Sequence, residues 1–241
     1  MENYNADIEN AILRAAQRGE KVLKYAVLNL PRKTDAFEDY GNRLVPLLRH
    51  PVCAWLRLRP VLAQHTSEEH ATLQRWARGR TALVEIGVAE GVSALALREN
   101  MSADGTLYLI DPFHLSRFPV LNFTKRAARA AVESCSRARV AWIEKFSFDA
   151  VREWIAPLDF VLIDGDHSDA GVEKDWNDWS PFVKPGGVVI FHDACLFPDG
   201  WTRADHGPVR LVNRLFRAGE VKGWSIVDEV HSLIVIERRR A

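Results

Sequence analysis

With 241 residues and a hydrophobic content of 47%, the chain is long enough to bury a sizeable core in one α/β domain with additions. Lys plus Arg and Asp plus Glu number 32 each, so the formal net charge is zero. That balance gives no electrostatic case for nucleic acid or an anionic membrane as the main partner.

Cys53, Cys135 and Cys195 have neither metal-ligand spacing nor the even count of a disulfide framework. The segment from Met1 to Gly19 is polar rather than signal-like, and no apolar run is long enough to span a bilayer, so a cytoplasmic protein is expected.

Residues 1–80 read as a helical extension ahead of a main domain at 81–241. Ala6 to Leu30 has apolar residues at helical spacing, broken by Gly19 and ended by Pro31. Leu44 to Leu62 is apolar but interrupted by Pro46, Pro51 and Pro60, so helices there are short. Ser67, with Glu69 and His70, opens a helix to Arg78. Three roles suit the extension: covering a ligand, meeting a second subunit, or decorating the core.

Leu83 to Ile86 reads as a buried strand carrying Glu85, followed by a turn punctuated by Gly87 and Gly91 and a helix from Ser93 to Arg98. Such glycines let a backbone approach a ligand, and the helix start offers free N–H groups; glycine can equally serve the turn alone. Three residues separate the two glycines, so this is not the G-x-G-x-x-G dinucleotide fingerprint. Glu85 would repel a pyrophosphate and suits a cationic cofactor. The next strand, Thr106 to Asp111, ends in an acid 26 residues after Glu85. Asp111 is placed either to accept from ribose hydroxyls or to cap the turn before Pro112.

The loop to Asn122 carries Phe113, His114, Arg117 and Phe118, and a helix from Lys125 to Ser136 follows. After a strand at Val140 to Ile143, Ser147 stands either beside a cofactor or as the N-cap of a helix from Phe148 to Trp154.

Asp159 to Ile163 is a buried strand running into Asp164-Gly165-Asp166-His167. Asp166 is the favoured N-cap of the helix that follows, Ala170 to Val183, with Ser168 the other candidate; Lys184-Pro185-Gly186-Gly187 ends that helix. Trp176 and Trp179, at i and i+3, face the sheet. Val188 to Phe191 is a further strand, ending in His192-Asp193. Neighbouring parallel strands would bring Asp164, Asp166, His167, His192 and Asp193 to one carboxyl edge, where open α/β sheets bind ligands. Carboxylates with an imidazole suit Mg²⁺ or Mn²⁺. The loop from Ala194 to Gly207, with Phe197, Trp201 and Arg203, suits an acceptor site or a dimer contact. A helix from Pro208 to Ala218 and strands at Trp224 to Val227 and Leu233 to Glu237 complete the chain.

The pattern E-x-G-x-x-x-G-x-S at Glu85 to Ser93 resembles the first motif of class I S-adenosylmethionine-dependent methyltransferases. I-D-G-D-H, K-P-G-G and F-H-D, in that order, resemble metal-assisted bacterial O-methyltransferases of macrolide-sugar, cephalosporin and mycobacterial methylated-polysaccharide pathways. The resemblance covers Thr81 to Ala194. It implies a Rossmann-like, mostly parallel seven-stranded sheet with helices on both faces, a homodimer, and S-adenosylmethionine held by Glu85, Gly87, Gly91, Ser93, Asp111, Ser147 and Asp164. It further implies a divalent cation, Mg²⁺ above all, on Asp164, His192 and Asp193, with His167 as general base. His192 is a departure, because relatives often carry an acid there. The implied acceptor is a hydroxyl of a sugar, an oligosaccharide or a glycosylated product, with a catechol or other small phenol as the alternative. A nicotinamide-dependent dehydrogenase and a non-catalytic nucleotide-binding module are the readings from other classes.

Overall fold

The computed structural model describes residues 51–113, 122–198 and 200–240. The chain divides into two compact units, Met1–Leu62 and Ala63–Ala241. In the first, the described part holds one short helix, α1 (Pro51–Trp55). The extension expected at residues 1–50 and the tip of the loop at 114–121 lie outside the described residues.

The second unit is built on a seven-stranded sheet of order β3-β2-β1-β4-β5-β7-β6. Its strands are β1 (Ala82–Ile86), β2 (Thr106–Ile110), β3 (Arg139–Ile143), β4 (Leu158–Ile163), β5 (Val183–Phe191), β6 (Trp224–Val230) and β7 (Leu233–Arg238). The first five run parallel, and β7 is antiparallel to both β5 and β6. The helices are α2 (Ser67–Ala77), α3 (Val92–Asn100), α4 (Phe123–Val132), α5 (Ser147–Ala150), α6 (Asp169–Trp179) and α7 (Gly207–Val212). This is the Rossmann-like class I methyltransferase fold that the motif order implies.

Alternation along the strands makes two cores, since successive side chains point to opposite faces. Leu83, Phe160, Leu162, Val188, Ile190 and Val235 pack with Leu73, Leu97, Ala128 and Val132 of α2, α3 and α4. Val84, Val161, Ile163, Val189, Phe191 and Ile236 pack with Val172, Trp176, Trp179 and Leu211 of α6 and α7. Trp176 and Trp179 therefore do face the sheet.

Several boundaries differ from the sequence reading. Helix α6 stops at Trp179 and a 3-10 turn follows, because Pro181 supplies no N–H to continue the helix. Lys184-Pro185-Gly186-Gly187 does not cap that helix but lies inside β5, where the pairing with β4 shifts register between Leu158 and Phe160. Asp228 and Glu229 lie within β6, and the hairpin turns at His231-Ser232. Thr66, not Ser67, caps α2 in a capping box with Glu69.

Candidate active site

At the carboxyl edge the backbone ladder continues one residue past each parallel strand. Asp111 N–H donates to the Ile143 carbonyl (3.2 Å), Gly87 to Ile110 (3.0 Å), Asp164 to Ile86 (2.9 Å) and His192 to Ile163 (3.1 Å). Residues distant in sequence are thereby lined up in strand order along one rim.

One half of the rim is the glycine turn. Gly87 and Gly91 adopt φ of 86° and 81°, and Ala89 between them also lies in the left-handed region at 46°. The glycines have packing reasons of their own. A Cβ on Gly87 would stand 2.2 Å from the Asp164 carbonyl oxygen, and one on Gly91 would stand 3.1 Å from Ala128 of α4. Asp111 ties the turn down, accepting from the N–H groups of Val88 (2.9 Å) and Ala89 (3.4 Å) and, through its other oxygen, from Phe113 (2.7 Å).

Glu85 lies fully buried beneath the turn, with one oxygen accepting from the Ser93 hydroxyl and Oε2 without a partner. Burial pushes its carboxyl well above the usual range; the Ser93 hydrogen bond opposes this, and Asp164 and Asp111 add to it. Helix α3, with Gly91 at its N-cap, has no side chain closing its first turn.

Ser147 is not the N-cap that one reading of the sequence made it. It is the first residue of α5 rather than its cap, which is Phe146, and its hydroxyl donates to Asp175 of α6. Burial lifts Asp175 to about 6 against that hydrogen bond. Ser147 thus buttresses α5 on α6.

The other half of the rim gathers Asp164, His167, His192 and Asp193. Asp164 Oδ1 lies 3.0 Å from His192 Nδ1 and 3.4 Å from His167 Nε2; Asp193 approaches the same ring atoms at 3.4 and 3.8 Å. Donor atoms of Asp164, His167 and His192 lie within 4.8 Å of one another, a spacing that one metal ion can bridge. Burial opposes the ionised form of Asp164, yet the two imidazoles hold it down at about 2. Burial likewise opposes charge on His192, but Asp164, Asp193 and Glu69 lift it to about 9. The Asp164 hydrogen bond raises His167 above the usual imidazole value, against its partial burial. His167 is the open member, its side chain 41% exposed against 6% for His192.

Ser168 is the N-cap of α6, accepting from Gly171 (3.0 Å); Asp166 instead accepts from the Ser168 N–H in the turn before it. The short reach of an Asx turn satisfies Asp166 two residues on and leaves the cap to Ser168. Two further residues complete the site. Trp201 N–H donates to Asp193 Oδ1 (2.6 Å), pinning the loop after β5 over the cluster, with Phe197 edge-on to Trp201 and stacked on His231. Glu69 of α2 is fully buried 4.0 Å behind His192 Nε2. The T-x-x-E capping pattern was its one signal in the sequence.

Residues 84–194 match a family described as a methyltransferase domain. A protein from Corynebacterium glutamicum is similar in structure at 19% identity, with 86% of this chain and 99% of that one covered and a TM-score of 0.59. The O-methyltransferase TomG of Streptomyces achromogenes, involved in tomaymycin synthesis and solved with S-adenosylmethionine, is similar at 18% identity, 93% and 98% coverage and a TM-score of 0.56. An O-methyltransferase from Bacillus cereus, solved with S-adenosylhomocysteine, is similar at 19% identity, 84% and 97% coverage and a TM-score of 0.53. The fold is thus that of the class I methyltransferases, and residues 84–194 are the part of the chain that matches the methyltransferase-domain family.

Proposed function

We propose that the protein is an S-adenosylmethionine-dependent O-methyltransferase whose acceptor is a hydroxyl of a sugar or glycosylated product. The observation that carries the reading is the adjacency of two half-sites on one rim: a glycine turn over a buried, half-satisfied Glu85, and a carboxylate-imidazole cluster led by Asp164. The O-methyltransferases among its structural neighbours support the choice of oxygen as acceptor.

When bound, the cofactor supplies a methyl group on a sulfonium, which leaves as a neutral thioether once the acceptor oxygen takes the methyl carbon. Glu85 and Asp111 fix the turn that receives it, and Glu85 supplies acceptor capacity beneath a positively charged ligand. His167 takes the acceptor proton on its imidazole, which Asp164 and Asp193 face at Nε2. Asp164 stabilises the resulting imidazolium. Trp201, 42% exposed, offers an indole face on which a sugar ring or an aromatic acceptor can rest.

The cluster fits a divalent cation: donor atoms of Asp164, His167 and His192 lie within 4.8 Å of one another, and Asp193 approaches both imidazoles from the same side. Asp164, His192 and Asp193 would hold it, and it would supply Lewis-acid character that lowers the pKa of an acceptor hydroxyl. The imidazole share of the donor set favours Mn²⁺ or a softer ion over Mg²⁺.

Transfer of a labelled methyl group to mannose and glucose oligosaccharides, glycosylated macrolides and catechols, with and without EDTA, tests the reading. Label on a saccharide, lost with EDTA and restored best by Mn²⁺, is the expected result. Label on catechols alone would move the acceptor to small phenols. S-adenosylmethionine binding with no transfer to any acceptor would remove the proposed acceptor.

A further inference from the structure

We propose that Glu69 is the positioning residue for His192: its carboxylate faces the Nε2 hydrogen, so that Nδ1, which donates to Asp164 in the metal-free site, is the nitrogen that gives up its proton to a cation; this rests on the cation reading above. A neutral imidazole carries hydrogen on one nitrogen and a lone pair on the other, and the partner of the first decides which is which. His192 is 5% exposed, and its Nε2 has no hydrogen-bond partner. The carboxylate facing that nitrogen is Glu69, at 4.0 Å. Nδ1 lies on the opposite side of the ring, 3.0 Å from Asp164 Oδ1.

Glu69 is itself held from three directions. Oε1 accepts from the Ser232 N–H (2.7 Å) and hydroxyl (2.6 Å), and Oε2 accepts from the Thr66 N–H (2.7 Å). These bonds fix the carboxylate between α2 and the β6–β7 turn, leaving Oε2 with a second lone pair toward His192. A buried carboxylate behind a ligating histidine fixes its tautomer, orients its ring and raises its basicity. It also adds a negative charge to the site without occupying a coordination position. Capping α2 alone would not require a carboxylate shared with β6–β7 and aimed at a buried ring.

The test is calorimetric titration of the full chain with Mn²⁺, in four proteins: wild type, Glu69→Gln, His192→Asp and the double variant. Thermal unfolding of each is measured in parallel. Glu69→Gln is expected to weaken Mn²⁺ binding by roughly tenfold to a hundredfold. In the His192→Asp background the same change should cost less than about threefold, because an aspartate ligates through its own charge and has no second nitrogen to orient. An equal loss in both backgrounds would make Glu69 a structural cap and overturn the proposal, as would no loss in either. No Mn²⁺ uptake by the wild type would instead remove the cation reading itself, and this inference with it.

If Glu69→Gln does not fold, the nitrogen-15 resonances of His192 in the wild type, with Zn²⁺ as a diamagnetic probe, decide the matter. Zinc on Nδ1 with a protonated Nε2 is the expected pattern. Zinc on Nε2 would overturn the proposal.

Discussion

His167 and His192 are both imidazoles at strand-end turns beside the same carboxylate, yet their surroundings assign them different work. His192 is sealed between Asp164 and Glu69, while His167 reaches the same Asp164 from the open side. Replacing His167 by Ala is therefore expected to leave S-adenosylmethionine affinity within about twofold, while methyl transfer falls by roughly a hundredfold or more. Calorimetry and a labelled-methyl assay separate the two effects. A fall in cofactor affinity matching the fall in turnover would remove the base role. The pH dependence has a definite sign. A base acts when neutral, and the Asp164 hydrogen bond raises His167 above the ordinary 6.5. In the metal-free protein its titration, followed by NMR, is expected above pH 6.5, and Asp164→Asn should bring it down.

Elements place these residues, and the glycine turn shows how little freedom they have. Gly87 joins positive φ to a position where an added Cβ would stand 2.2 Å from the Asp164 carbonyl. Gly87→Ala would have to change the backbone and push β1 from β4 at the point where Asp164 leaves the sheet. A loss of about 3 kcal/mol is expected from strain and overpacking together, with Mn²⁺ binding reduced at temperatures where the variant remains folded. Denaturant unfolding checks the first effect and calorimetry the second. This turn was legible in the sequence because strand, glycines, helix and acid follow one another within a single βαβ unit. Asp164 and His192 were legible too, each at the end of an apolar strand with a carboxyl-edge meaning in a parallel sheet. Glu69 was not, for its partner Ser232 is 163 residues away and only the folded chain brings them together. The N-cap reading of Ser147 fails for a related reason: its hydroxyl is taken by Asp175, 28 residues on, and no local pattern announces that bond. The Lys184-Pro185-Gly186-Gly187 segment was misread because helix-stop chemistry and a bulged strand entrance use the same residues.

At the scale of the whole molecule, the chemistry and an electrostatic anchor occupy opposite edges of the sheet. The carboxyl edge carries the cluster; the amino edge carries Asp159 at the start of β4, 6% exposed. Its carboxylate accepts from the Thr81 N–H (2.8 Å), the Thr81 hydroxyl (2.8 Å) and the Ala82 N–H (3.0 Å), and pairs with Lys184. Arg80 closes the same edge, donating to the carbonyls of Trp76 (2.7 Å) and Asp159 (2.6 Å). Burial opposes the charge on Asp159, but Lys184 and the Thr81 and Ala82 donors outweigh it and hold the carboxyl at about 2, below the ordinary 3.8. A carboxyl depressed in the folded state contributes stability that is complete above the unfolded pKa and lost as pH falls through the folded one. That contribution is about 2 kcal/mol, given about 1.4 kcal/mol per pKa unit. It should therefore be intact at pH 7, begin to fade below about pH 4 and be largely gone near pH 2. Asp159→Asn is expected to cost about that much at pH 7, with the gap to wild type closing between pH 4 and 2 in parallel denaturant titrations. Because the anchor lies at the other end of the strands from Asp164 and the glycine turn, the same variant should keep wild-type affinity for S-adenosylmethionine and Mn²⁺ at neutral pH. A variant that loses ligand affinity in proportion to stability would show instead that the two edges are coupled through β1 and β4, the strands that reach both.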